Sequence, residues 1–247
     1  MLALRGKVNT MFLRYNTYAG QDNEKSDITW TVKAATEVSR ISSGNSKMPG
    51  STFSTDAFAC KVGSKLAKVE GSVCSGCYAR KLQKLRPSVD KGWRNNYLKA
   101  TNMIANNPEK WSDAVAFQIK RIANKSGEKY HRWFDSGDLD SVEMLRAIVR
   151  ACKKTPEISH WLPTREAKIV KEYRKQYGQE PNNLVIRVSS TMIGDAPMRG
   201  HTLTSTVHRK GEHQHGHECP APKQGNNCGD CRACWSTKVL NISYTKH

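Results

Sequence analysis

Cysteine is the residue type whose spacing in this sequence could do chemistry. Cys228, Cys231 and Cys234 are each separated by two residues, and eight residues separate Cys219 from the first of them. Cys60, Cys74 and Cys77 form a second group, C-x13-C-x2-C. A structural zinc takes four ligands in a tetrahedron, usually as two separated C-x2-C pairs. A run of C-x2-C-x2-C instead lets one loop wind around a larger cubane and give a thiolate to each of three irons, with a fourth ligand from a distance. Cys219, Cys228, Cys231 and Cys234 are therefore expected to hold a [4Fe–4S] cluster, with zinc as the alternative. Gly225 and Gly229 allow that loop to turn tightly.

The first group has three thiols and leaves one coordination position open. On a [4Fe–4S] cluster an open iron can chelate S-adenosylmethionine, although the C-x13-C gap departs from the usual C-x3-C-x2-C spacing. The alternative, in which Cys74 and Cys77 complete a cluster with cysteines of the tail, stays open. Cys152 stands alone in an apolar helical stretch and reads as a small buried hydrophobe. His213, His215 and His217 in GEHQHGHEC are weaker metal candidates.

A net charge of +18 favours polyanionic partners, nucleic acid first. A solvated helix face explains part of it. Residues 78 to 105 carry seven Lys and Arg against one Asp, interleaved with Tyr78, Leu82, Leu85, Trp93, Tyr97, Leu98 and Ile104 at amphipathic spacing. No run approaches the roughly 20 apolar residues of a membrane span, and the N-terminus lacks a signal-peptide core. The expected compartment is the cytoplasm, where clustered cysteines bind metal rather than pair.

The elements that must position these thiols follow from periodicity. A strand is expected at Ile28 to Val32, a loop from Ser42 to Thr55, a helical region after Cys77 and a helix over Pro108 to Lys125. Then a unit repeats. The strand Tyr130 to Phe134 leads through DSGDLDS to a helix at Val142 to Lys153. The strand Ser159 to Leu162 leads through PTRE to a helix at Ala167 to Tyr177. A third strand covers Asn183 to Ser189. This is the signature of βα units on a parallel sheet, whose loops after the strand C-termini carry chemistry. The fold class is α/β, a partial or complete (β/α) barrel-like parallel sheet in a single domain. An N-terminal extension covers residues 1–50, and a cysteine-rich, loop-like tail over residues 201–247 caps the sheet. There is no GxGxxG and no P-loop.

Those loops supply the cofactor candidates. Ser136, Gly137 and Asp138 follow the first repeated strand, with Asp135 beside them. They could meet a cofactor's amine or ribose, or else form a turn and a cap for the next helix, as Asp140 or Ser141 would also do. Arg165 and Arg187 sit at the ends of apolar strands, where a buried cation needs a partner such as an anionic ligand or cluster thiolates.

The segments GSVCSGCYARK, RWFDSGDLDS, HWLPTRE, NLVIRVSSTM and CPAPKQGNNCGDCRACW resemble the bacteriophage gene product 88 family, from about residue 45 to the C-terminus. The resemblance implies a phage origin and a place in the host cytoplasm during infection. The CSGCYA segment is also similar to phage proteins related to the radical S-adenosylmethionine enzymes, which have partial (β/α) barrels. By position, that similarity implies Cys60, Cys74 and Cys77 as cluster ligands and Ser136, Gly137 and Asp138 as the loop meeting the cofactor's amino group. The leading expectation is a phage [4Fe–4S] protein with redox or radical S-adenosylmethionine-like chemistry. The runner-up is a non-catalytic nucleic-acid-binding protein braced by metal.

Overall fold

A computed structural model describes residues 29–246. Its centre is a sheet of seven strands, β1 (Ser51–Ser54), β2 (Tyr130–Ser136), β3 (Ser159–Thr164), β4 (Leu184–Ser189), β5 (Thr204–His208), β6 (His217–Glu218) and β7 (Asn241–Thr245). Their order is β1-β2-β3-β4-β5-β7-β6, and every pairing is parallel. The helices are α1 (Val32–Val38), α2 (Lys61–Leu66), α3 (Tyr78–Leu85), α4 (Pro87–Asn106), α5 (Pro108–Ser126), α6 (Val142–Lys153) and α7 (Ala167–Tyr177). This is the expected α/β class with an open, partial-barrel-like parallel sheet. Among the described residues no helix is long and apolar enough to cross a membrane.

The two faces of the sheet are chemically different. Leu184, Ile186 and Val188 of β4 join Leu162 of β3, Trp133 of β2 and the apolar faces of α5 and α6 in the main core. Alternation along a strand sends the intervening residues to the other face. There Arg187 meets the tail, and Trp161 and Tyr130 pack edge-on against Trp235 at ring distances of 5.3 Å each. Helices cover one face, and the cysteine-rich tail covers the other.

The helix boundaries follow local chemistry. Ser141 accepts from Met144 N (3.1 Å) and caps α6, and Asn107 caps α5 in the same way through Lys110 N (2.9 Å). The amphipathic stretch of residues 78–105 forms two helices, because Pro87 carries no N–H and opens α4 at its first position.

Three local expectations are corrected. Of the strand expected at Ile28 to Val32, Ile28 lies outside the described residues, and Val32 opens α1 behind the Thr31 cap. The loop expected over Ser42 to Thr55 contains β1, whose only large apolar residue is Phe53. Phe53 is held by edge-on contacts with Trp111, Trp133 and Phe134, all within 5.9 Å. Ser, Gly and Pro around it hide that anchor in the sequence. The tail is more than a cap: β5, β6 and β7 belong to the sheet itself. The Thr, Ser, His and Asn side chains of β5 and β7 bond one another and the end of β4, as in His208–Ser243 (2.7 Å), Thr204–Asn241 (2.8 Å) and Ser205–Ser189 (2.8 Å). Strands satisfied this way lack the aliphatic pattern that marks β3 and β4.

One backbone irregularity matters for the site. The β1–β2 register shifts between Thr52 and Ser54, and Phe134 takes φ +55°. That conformation costs a non-glycine residue about 1–2 kcal/mol. Here it lets the consecutive Trp133 and Phe134 both enter the core.

Candidate metal centres

The first thiol group is assembled by the loops that follow four strands. Cys60 lies beyond β1 and is the N-cap of α2, while Cys77 is the N-cap of α3. The segment before Cys74 is tied to the loop after β4 by Val73 N to Thr191 O (2.9 Å). The loops after β2 and β3 are joined through Asp138. Its carboxylate accepts from Leu139 N (2.8 Å), Thr164 Oγ1 (2.6 Å) and Arg165 N (2.9 Å). Glu166 accepts from Val62 N at 2.8 Å and ties α2 to β3. The group therefore stands at the C-terminal edge of the parallel sheet, where such folds place their chemistry.

Two glycines make this packing possible. A Cβ on Gly63 would come 3.0 Å from Cys60 Cβ and 3.7 Å from Cys74 Sγ, so a bare backbone is needed between these cysteines. Gly137, at φ +85°, would place a Cβ 1.9 Å from Thr55 Oγ1. Burial raises the Cys60 thiol, with Asp138 and the neighbouring Cys77 and Cys74 adding to it, and Arg165 pulls the other way. Burial also raises Cys74, opposed first by Arg165. Asp138 is pushed up to about 6 by burial, against the hydrogen bonds that favour its charge. Arg165 Nε and Ser136 Oγ are buried without a partner in this pocket. Beside it, Tyr78 donates to Asp135 O at 2.6 Å, and Asp135 pairs with Arg132 at 2.9 Å.

The tail group is gathered on the sheet face away from the helices. Cys219 N donates to Ser243 O of β7 (2.9 Å), Cys228 N to Lys47 O (2.8 Å) and Cys231 N to Cys228 O (2.9 Å). Trp235 Nε1 reaches His131 O on β2 (3.0 Å). The four thiols lie within electrostatic reach of one another: Cys228 feels Cys219 and Cys231, and Cys234 feels Cys219 and Cys228. Burial raises Cys219 and Cys228 and pushes Cys234 up to about 12, although the Tyr244 hydroxyl at 3.2 Å opposes this. His217 Nε2 stands 3.8 Å from Cys231 Sγ, whereas His213 and His215 pack on each other. Among the described residues no three His, Cys, Asp or Glu side chains converge as a site for one metal ion.

Arg187 has a defined task. Its side chain is fully buried and donates to five carbonyls: Ser236 O (2.7 Å), Ala233 O (2.9 Å), Cys234 O (3.1 Å), and Thr204 O and Leu240 O (3.4 Å each). It fixes the backbone that carries Cys234 to β4. Arg132 was not picked out from the sequence. Its guanidinium stacks on Trp161 at 4.8 Å, pairs with Asp135 at 2.9 Å and lies within electrostatic reach of Tyr78, Tyr244 and Cys234. The signal for it was a cation at alternate phase inside the apolar strand YHRWF. Tyr244 offered no comparable signal, because its contact with Cys234 depends on how β7 and the turn that carries Cys234 pack together. Cys152 is buried in α6, apart from both groups.

Residues 22–237 match the family model described as gene product 88. The chain belongs to this bacteriophage gene-product family. The matched span contains both cysteine groups of this gene product 88 protein, from Cys60 to Cys234. No curated protein and no solved structure matches the chain.

Proposed function

We propose that this gene product 88 protein is an iron–sulfur protein with two centres. Cys60, Cys74 and Cys77 ligate a [4Fe–4S] cluster with one iron open, and Cys219, Cys228, Cys231 and Cys234 ligate a second cluster that fastens the tail to the sheet. The observation that carries this reading is the sorting of the thiols. Seven of the eight cysteines fall into two groups, Cys60 with Cys74 and Cys77, and Cys219 with Cys228, Cys231 and Cys234, and the three-thiol group sits at the sheet's C-terminal edge.

The residues present suit such a group. Thiolate sets of three and four match the donor chemistry of a cubane, which spans more space than one ion. A single zinc bonds sulfur at about 2.3 Å and draws its ligands close together. Each group also has an arginine within electrostatic reach to offset thiolate charge, Arg165 for the first and Arg187 for the second. Gly63 leaves the space between Cys60 and Cys74 free of side chain. When bound, an open iron supplies one-electron and Lewis-acid chemistry. In this reading its exogenous ligand is S-adenosylmethionine. The buried, unpartnered Ser136 Oγ and Arg165 Nε are the donors available to that ligand, while Asp138 holds the two loops that carry them.

The test is metal analysis of the full chain purified without oxygen. Two cubanes give about eight irons and eight sulfides per chain. Cys74→Ser and Cys231→Ser should each remove about half. About four irons with one zinc would restrict the cluster reading to the first group, and a colourless protein without iron would refute it. An electron paramagnetic resonance signal of the reduced protein that shifts with S-adenosylmethionine, and no longer does so in Cys74→Ser, would support the open iron. An unchanged signal would refute it.

A further inference from the structure

The outward side of α3, immediately beside the three-thiol group, combines exposed apolar surface with unpaired positive charge. Tyr78 is 56% exposed, Leu82 37% and Leu85 76%. They recur at helical spacing along one stripe. Lys81, Lys84 and Arg86 are also exposed, and no ion pair engages them among the described residues. From Lys61 to Arg94 the chain carries nine Lys and Arg against two acids, a large part of the net +18 in a short span. A soluble helix with its charges for solvation alone would not leave a tyrosine and two leucines open among them.

The same helix and the start of α4 also line a cleft of about 430 Å3, through Gln83 and Lys84 and through Pro87, Asp90 and Arg94, with Phe58 opposite them. Three cations surround the Phe58 ring, with Arg80 at 4.5 Å, Arg94 at 5.7 Å and Lys84 at 6.0 Å from its centroid. Asp90 (2.7 Å) and Asp56 (3.4 Å) hold Arg94 in place, and Arg80 donates from Nη1 to Ser64 Oγ (3.1 Å), which leaves Lys84 and the remaining donors of Arg80 to face a ligand. Arg80 also lies within electrostatic reach of Cys74. Arg80 therefore stands between the Phe58 ring that lines the cleft and the thiol group.

We infer that this surface binds single-stranded nucleic acid, with the phosphates on Lys81, Lys84 and Arg80 and a base stacked on Tyr78. Aromatic faces interleaved with unpaired cations are the chemistry of single-strand binding, because every base has a stacking face and every linkage a charge. A duplex hides its base faces and would leave Tyr78 and Leu85 without a partner. A strand lying along α3 passes directly beside Cys77. The inference goes beyond the cluster reading and does not depend on it.

The test is fluorescence anisotropy with a labelled single-stranded oligonucleotide of about 20 nucleotides and a duplex of the same sequence, at roughly 50 mM salt, on the full chain purified without oxygen. Lys81→Glu/Lys84→Glu should weaken single-strand binding about 10-fold or more and make the salt dependence shallower by about two. Lys171→Glu/Lys175→Glu on α7 changes charge equally and should cost less than about 3-fold. Tyr78→Leu should lose roughly 5-fold or more, while Tyr78→Phe keeps the ring and the affinity. Iron content, measured on every variant, separates a lost surface from a lost cluster. Three results would overturn the inference: no binding by the wild type, equal losses in the two double variants, or preference for the duplex.

Discussion

Replacing Arg187 with methionine tests whether the tail is held by the sheet. Methionine keeps much of the stem's volume and removes every donor. Ser236 O, Ala233 O and Cys234 O lose bonds of 2.7, 2.9 and 3.1 Å, while the two contacts at 3.4 Å are weak and count for little. A stranded buried acceptor costs about 1–3 kcal/mol, and hydrogen bonds to a charged donor lie in the upper part of the usual range. Relief of the buried guanidinium's own desolvation cost offsets part of this. The expected net loss is about 3–5 kcal/mol, a large share of an ordinary domain's 5–15 kcal/mol. Urea unfolding followed by tryptophan fluorescence reads it, since Trp235 lies in the affected turn. With a slope of about 2–3 kcal/mol per M, the midpoint should fall by about 1–2 M. Because the same carbonyls position Cys234, the variant should also lose the tail's metal and keep that of the first group. Arg187→Lys restores one or two of the bonds and should fall between. A midpoint shift equivalent to less than about 1 kcal/mol, with unchanged metal, would show that the five contacts do not hold the tail.

Acid stability follows from His131 and His160, in-register neighbours on β2 and β3 that are both fully buried. Burial drives His131 well below its ordinary value and His160 to about 3, so the unfolded chain takes up protons first below about pH 6.5, and stability falls as pH falls. Asp138, raised to about 6, acts in the opposite sense, so the cleaner measurement is a difference: the stability gap between wild type and His160→Gln should move by about 1.4 kcal/mol per pH unit from pH 6 to 4 in favour of the variant, and a constant gap would refute this. Cys231→Ala should lose metal and solubility together, because ligation energy is folding energy, whereas Cys152→Ala should retain its metal; equal metal content in the two would refute the assignment. Gly137→Ala meets Thr55 Oγ1 at a positive φ, and thermal unfolding should register a loss of about 2–4 kcal/mol; Thr55→Ala/Gly137→Ala removes that oxygen and should recover part of the loss but none of the φ cost.

The sequence by itself determined the βα repeat and the existence of two thiol groups. The boundaries of α6 and α7 were legible at Val142–Lys153 and Ala167–Tyr177, because an apolar face at helical period and flanking polar loops are local properties. β3 and β4 were legible because both are buried within an aliphatic core. β1 was not, since one phenylalanine among Ser and Thr becomes a strand only when Trp111, Trp133 and Phe134 close around it. β5 and β7 were not, because their inward side chains are satisfied by hydrogen bonds to neighbouring strands, and such partners have no signature along the chain. The same division holds in the candidate site. Ligand types and spacings are written locally, so the cysteines could be grouped in advance. Arg187 could be singled out as a buried cation needing partners, but not as the clamp on the backbone around Cys234. Which loop meets which is decided by packing: β2 beside β3 puts Asp138 on Arg165, and β7 against the turn that carries Cys234 puts Tyr244 on that thiol. Asp138 and Arg165 are 27 residues apart and Cys234 and Tyr244 ten, and no local periodicity encodes either contact; the packing of the strands and loops brings them together.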